Sequence, residues 1–166
     1  MADIIDMAMS GGCQCGAVRY HARHFLDPSH ICHCRMCQKA TGGFFAALIG
    51  VPRDALVWTR GMPGNFASSD HSSRGFCTEC GTPLLYDYHA SKHVCVTTGS
   101  LDNPAAFPPR IQFGVEGQMP WFATLGEIMA EEPTEAVMGA AAARIAASNR
   151  QHPDADTDDW PVERKA

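Results

Sequence analysis

The placement of cysteine constrains this chain more than any other feature. Eight cysteines occur in 166 residues, and seven of them fall in three tight groups. Cys13-Gln14-Cys15 is flanked by Gly11, Gly12 and Gly16. Cys32-His33-Cys34-Arg35-Met36-Cys37 places three thiols within six residues. Cys77-Thr78-Glu79-Cys80 runs directly into Gly81. Glycine beside a thiol lets the backbone turn tightly, so that two sulfurs can converge on one ion. Disulfide frameworks belong to secreted chains. The start, Met1-Ala2-Asp3-Ile4-Ile5-Asp6, has neither the basic n-region nor the apolar h-region of a secretory signal. A cytoplasmic setting is expected, where clustered thiols point to metal or redox chemistry.

Counting ligands sharpens this. A closed structural zinc site takes four ligands, and a catalytic one keeps three with an open position. Seven clustered thiols divide naturally as four and three. Cys13, Cys15, Cys77 and Cys80 would then close one site, tying the start of the domain to its middle and stabilising the fold. Cys32, Cys34 and Cys37 would cap one face of a second ion. Other pairings remain open on counting alone. Cys13 and Cys15 could join Cys32 and Cys34 instead, and His30 or His33 could close the second site. Iron–sulfur ligation is an alternative to zinc, while a redox C-x-x-C would leave five thiols unexplained. Cys95, inside Val94-Cys95-Val96, reads as a small buried apolar residue. His21, His24, His71, His89, His93 and His152 show no paired spacing and read as surface or edge residues.

Around the cysteines the pattern is that of short strands. Ala17–His21, 44–49, Ala55–Thr59, 84–88, 93–98 and 111–115 alternate or run apolar at strand length, separated by Gly, Pro, Asn and Asp. This predicts a mainly β domain over 11–123. Residues 1–10 read as a loose, flexible arm. Residues 60–75, with Gly61, Pro63, Gly64, Asn65 and four serines, read as a long loop. Within a helical extension at 124–150, Pro133 to Arg150 contains seven alanines, with Val137, Ala141 and Ile145 at helical spacing. That predicts one Ala-rich C-terminal helix, packed on the sheet or on a second copy as a homodimer surface. The last stretch, 151–166, reads as a solvated acidic tail. A formal net charge of −5 argues against a nucleic-acid partner. No apolar run reaches membrane-spanning length.

The motifs together resemble a known family. Gly11-Gly12-Cys13-Gln14-Cys15-Gly16-Ala17-Val18-Arg19-Tyr20, Cys32 to Gly42, Arg74-Gly75-Phe76-Cys77-Thr78-Glu79-Cys80-Gly81-Thr82 and Thr98-Gly99-Ser100-Leu101-Asp102 resemble, in order and separation, the glutathione-dependent formaldehyde-activating enzymes, a family that also contains centromere protein V. The resemblance spans about 11–122 and implies a β-tent, a zinc-pinned arrangement of short antiparallel sheets. It implies two zinc ions, a structural one on Cys13, Cys15, Cys77 and Cys80 and a catalytic one on Cys32, Cys34 and Cys37. The implied activity is that of a carbon–sulfur lyase, which joins glutathione and formaldehyde into S-hydroxymethylglutathione.

Glutathione carries two carboxylates and one amine, so its site should offer cations. Arg35, Lys39 and Arg74 flank the zinc motifs and are the candidates; each also reads as solvated surface charge. Phe44 and Phe45 are candidate pocket walls, and the same pair reads equally as core. The expected partners are a small-molecule thiol such as glutathione and an aldehyde. A zinc-stapled binding module without catalysis and a thiol- or metal-handling protein are the alternative classes. The intact C-x-C-x-x-C favours the enzyme, since a purely structural protein needs only the closed site.

Overall fold

The computed structural model describes residues 3–160. Strands dominate, in the order β1 (Asp3–Ile5), β2 (Met9–Gly12), β3 (Arg19–Ala22) and β4 (Phe25–Cys32). A short helix, α1 (Arg35–Thr41), leads to β5 (Ala46–Pro52), β6 (Leu56–Arg60), β7 (Gly64–Ser69), β8 (Ser72–Phe76), β9 (Pro83–Tyr88), β10 (His93–Thr97) and β11 (Ile111–Phe113). Two short helices, α2 (Thr134–Met138) and α3 (Ala140–Ala147), follow.

The strands form two sheets. The larger runs β1-β4-β5-β10-β9-β8-β7, antiparallel throughout, and β11 adds to β4 in parallel. The smaller is β2-β3-β6. Strand composition follows position. β5 and β10 lie mid-sheet and are almost continuously apolar and buried, including Leu48, Ile49, Val51, Val94 and Val96. β6 alternates half-buried Leu56, Trp58 and Arg60 with exposed Val57 and Thr59, as an outer strand with one wet face does. The core between the sheets holds Tyr20, Phe25, Ile49, Leu84 and Val96, all fully buried. Tyr20 meets Trp58 edge-on at 5.7 Å, and Phe25 packs on Phe107 at 4.5 Å.

Three expectations change. The first residues are not a loose arm: Asp3, Ile4 and Ile5 pair with Asp27, Leu26 and Phe25, and Met9–Gly12 pairs with β3. The stretch 60–75 is not a loop but the β7–β8 hairpin, which turns at Asp70-His71. Its serines hid it, since Ser72 and Ser73 occupy buried strand positions where an apolar residue would have given the signal. The Ala-rich C-terminal helix is present as α3 but is shorter than expected. Gly139, at φ +50°, separates α2 from α3, and no residue of either is buried.

The sequence between 149 and 160 is largely exposed but tied down at several points. His152 donates its backbone N–H to the Gln14 carbonyl at 2.7 Å and is itself buried. Trp160 Nε1 donates to the Cys15 carbonyl at 2.8 Å. Asp156 pairs with Arg19 at 2.7 Å and accepts from Ser10 Oγ at 2.7 Å. The remainder of the acidic tail, 161–166, lies outside the described residues.

Arg19 deserves its burial. It is only 3% exposed, yet donates two parallel bonds to Asp102 at 2.8 and 2.7 Å besides its bonds to Asp156. A buried guanidinium is tolerated when its donors are matched in this bidentate way. Removing it with Arg19→Ala leaves Asp102 half-desolvated and should cost about 3 kcal/mol. Asp156→Asn, at an exposed partner, should cost less than about 1 kcal/mol. Urea unfolding of both variants checks the order.

Candidate metal centres and reaction site

Two groups of thiols converge. In the first, the sulfurs of Cys13, Cys15, Cys77 and Cys80 all lie within 4.8 Å of one another. The Cys13 and Cys15 sulfurs are 3.5 Å apart, and Cys15 and Cys77 are 3.8 Å apart. A tetrahedral ion with zinc–sulfur bonds of about 2.3 Å requires sulfur–sulfur edges of about 3.8 Å. The donor set therefore fits zinc in both chemistry and spacing. Cys13 and Cys15 follow β2 of the small sheet, and Cys77 and Cys80 follow β8 of the large one. Each turn closes on itself: Gly16 N–H donates to the Cys13 carbonyl at 3.0 Å and Gly81 N–H to the Cys77 carbonyl at 2.9 Å. Gly16 and Gly81 hold φ of +78° and +77°, which glycine adopts without strain.

The thiols of this group are unequal in the metal-free chain. Burial pushes Cys77 up to about 12. Cys80 goes the other way, to about 6; burial opposes this, but the Thr82 hydroxyl at 3.2 Å and nearby N–H groups outweigh it.

In the second group the sulfurs of Cys32, Cys34 and Cys37 lie within 4.8 Å of one another, and no histidine or carboxylate joins them among the described residues. Cys32 ends β4, Cys34 caps α1, and Cys37 lies inside α1. Successive residues of an extended segment face opposite ways. Cys32 and Cys34 thus share one side while His33 turns to the other. There it is fully buried, edge-on to Phe122 at 4.6 Å, with Nε2 2.9 Å from Gln112 Oε1. His33 does not close the site. Arg74, from β8, reaches it instead: Nη2 donates to Cys37 Sγ at 3.3 Å, Nε donates to Ser68 Oγ at 3.2 Å, and the guanidinium lies over Tyr86 at 5.0 Å. Burial pushes Cys32 up to about 12. Cys34 is lowered; burial opposes the shift, and the Cys37 N–H, the neighbouring thiols and Arg74 prevail.

These three thiols line a cavity of about 390 Å³ with His30, His93 and Cys95. A second cavity, of about 520 Å³, adjoins it. Three convergent thiols on an open cavity, with a cation against one sulfur, can hold a metal ion while leaving room for a further ligand.

The profile of the glutathione-dependent formaldehyde-activating enzymes matches residues 8–116 of this chain. The chain belongs to this family. A Halomonas elongata protein whose name repeats the family description is 26% identical over 125 residues, covering 69% of this chain and 80% of its own length. An uncharacterized lyase of Schizosaccharomyces pombe is 28% identical over 85 residues, 50% of this chain and 60% of that one. The crystal structure of a Rhodobacter sphaeroides protein superposes with a TM-score of 0.51 at 21% identity, covering 63% of this chain and 99% of that one. This last likeness concerns the fold alone.

The formaldehyde-activating family's match ends before α2, so the clamp of 149–160 over the Cys13–Gly16 turn lies outside it. Among the cations proposed from sequence, Arg74 lines both cavities and Lys39 lines the larger. Arg35 lines neither and instead donates to Gln38 Oε1 at 3.2 Å. Phe44 also lines neither; it is half exposed and meets Trp121 edge-on at 4.6 Å. Phe45 packs against His33 and Phe122. His30 lines the thiol cavity without joining the thiols, and burial, with His93 nearby, lowers its pKa. Sequence reasoning missed His93, Tyr86 and Cys95 at this cavity. Cys95 is buried as expected, but beside Cys37, and burial pushes its thiol up to about 11. The alternation of β9 and β10 placed these side chains on one face, and only the pairing of those strands shows which.

In protein stripped of metal at this cavity alone, iodoacetamide at pH 7.5 should label Cys34 well before Cys32. A lowered pKa leaves more of Cys34 as thiolate at that pH, and Cys32 stays protonated until far higher pH. Peptide mass spectrometry over time checks the order.

Proposed function

We propose that this chain is a zinc-dependent carbon–sulfur lyase that acts on a thiol–aldehyde adduct such as S-hydroxymethylglutathione. The observation that carries this reading is the convergence of Cys32, Cys34 and Cys37 on an open cavity, with Arg74 bonded to Cys37. Cys32, Cys34 and Cys37 would hold the catalytic zinc, and Cys13, Cys15, Cys77 and Cys80 the structural one. Zinc held by Cys32, Cys34 and Cys37 would supply a Lewis-acidic site able to keep a substrate sulfur as thiolate near neutral pH. Eight free thiols suit a reducing compartment, and we place the protein in the cytoplasm.

The chain's own residues supply position and charge. In the synthetic direction a thiol adds across the aldehyde carbonyl: a carbon–sulfur bond forms, and the carbonyl oxygen gains the proton that the thiol gives up. The reverse step cleaves the same bond. Both need sulfur and carbonyl carbon held about 3 Å apart. Arg74 is fixed by Ser68 and Tyr86, so its guanidinium is aimed before substrate arrives. It offsets the negative charge of the thiolates and can donate to the carbonyl oxygen as charge gathers there. His93, whose Nδ1 lies 3.0 Å from Ser91 Oγ, lines the cavity as a group able to move the proton. Lys39, at the edge of the adjoining cavity, is suited to a substrate carboxylate.

Zinc content and exchange spectroscopy test this together. Protein purified without chelator should carry two zinc ions per chain. It should accelerate exchange between glutathione and S-hydroxymethylglutathione, read by magnetisation transfer, beyond the spontaneous rate. Arg74→Leu should lower kcat/KM about 10²-fold. Two zinc ions retained with no acceleration would overturn the lyase reading and leave a zinc-stapled binding module.

A further inference from the structure

The two cavities meet at a shared wall of Met36, Leu48, Arg74 and Tyr86. Away from that wall they differ in character. The thiol side is rimmed by His30, His93, Ser72 and Ser91. The adjoining side, about 520 Å³, is walled by Phe66, Phe76 and Leu85 with Thr41, Ser68 and Thr97 between them, and Lys39 is its one further charge. No carboxylate lines either cavity.

The reaction joins two molecular arms through one carbon–sulfur bond, and two chambers meet at Arg74, which is bonded to Cys37. Resting on the lyase reading above, we propose that the apolar chamber receives the alkyl or aryl arm of an aldehyde larger than formaldehyde, while the thiol partner lies on the histidine- and serine-rimmed side.

Formaldehyde has no arm and would leave the apolar chamber without an occupant. Glutathione is a poor occupant for it. Its amides would lose water against Phe66, Phe76 and Leu85, and polar groups left without partners there are costly. Lys39 can meet one of its carboxylates at the chamber's edge, but its ammonium would find no carboxylate. An apolar arm has the opposite balance, since each methylene leaves water for an apolar wall. Arg74 holds the junction between the chambers, where the carbonyl oxygen becomes the adduct hydroxyl. The step is balanced as for formaldehyde. The thiol S–H adds across C=O, the carbon–sulfur bond forms, the carbonyl π pair moves to oxygen, and the proton follows it. No oxidant or reductant is needed.

A chain-length series tests the assignment on the zinc-loaded protein. With glutathione as the thiol, adduct exchange is measured for formaldehyde, propanal, butanal, pentanal and hexanal, each corrected for its hydrated fraction. We expect kcat/KM to rise about threefold per added methylene from propanal to hexanal. Ala40→Trp, which fills the chamber from the exposed face of α1, should lower the ratio of the hexanal to the formaldehyde value at least tenfold. A second readout needs no turnover. Hexan-1-ol, which cannot add a thiol, should show saturation transfer from the wild-type protein and lose it in Ala40→Trp. Formaldehyde exchange with no rise along the series would overturn the chamber assignment and leave the lyase reading intact. So would hexan-1-ol contacts that Ala40→Trp does not reduce. Failure of every aldehyde, formaldehyde included, would overturn the lyase reading and with it this proposal. If Ala40→Trp does not fold, the series on the wild-type chain decides alone.

Discussion

The convergence of Cys13, Cys15, Cys77 and Cys80 is the constraint on which the rest of the structure depends. A three-stranded sheet has little core of its own, and here it rests on the larger sheet through a modest set of side chains, Tyr20, Trp58 and Val18 among them. The two cysteine turns join those sheets at one point. A structural zinc in a thiol-rich site contributes on the order of 10 kcal/mol of apparent binding free energy. That equals the net stability of a typical domain, about 5–15 kcal/mol. Arg19, reaching from β3 to Asp102, is a second tie between the same parts, and it is held in place by hydrogen bonds rather than by area.

From this joint the reaction site follows. With the small sheet pinned, β8 is fixed by Cys77 beyond its end, and Arg74 on the same strand is presented to Cys37. The other side of the site is braced from behind. β11 pairs with the end of β4 through Ile111, Gln112 and Phe113, and His33 N–H donates to the Phe113 carbonyl at 2.8 Å. Gln38 spans the same region, donating to the carbonyls of His33 and Gly117. These bonds satisfy the backbone of the Cys32–Cys37 segment on its buried face. The thiols are left as the groups that face the cavity.

Legibility tracked the range of the interaction. The C-x-C pattern reads directly, because alternation along an extended backbone is local and sets Cys32 and Cys34 apart from His33. Strands with strong apolar runs, such as β5 and β10, were visible for the same reason. The β7–β8 hairpin was not, because its signal is the pairing of Phe66 with Arg74 and Gly64 with Phe76 rather than composition. β4 was hidden by Asp27-Pro28-Ser29, where proline lacks an N–H and the pairing with β5 skips from Leu26 to His30. The Ala-rich helix expected at 133–150 forms over Ala140–Ala147, and Gly139, whose backbone conformation breaks it, separates it from α2. Phe44 and Phe45 show the limit for site walls. Adjacent residues point apart, and which ring faces a cavity depends on Trp121 and Phe122, more than seventy residues away.

The clamp of 149–160 gives the two thiol groups different lifetimes. His152 and Trp160 hold the backbone carbonyls of Gln14 and Cys15, and Arg60 braces both Gly16 and the ring of His152. A Cβ at Gly16 would lie 2.1 Å from that ring, so the fit admits no side chain. Cys13 and Cys15 can swing out of their cluster only when these bonds open together. Cys32, Cys34 and Cys37 are braced from behind by β11 and Gln38, but their sulfurs face a cavity. An ion at the first cluster should therefore leave only with an opening of the chain, whereas one at the second has a cavity through which to leave.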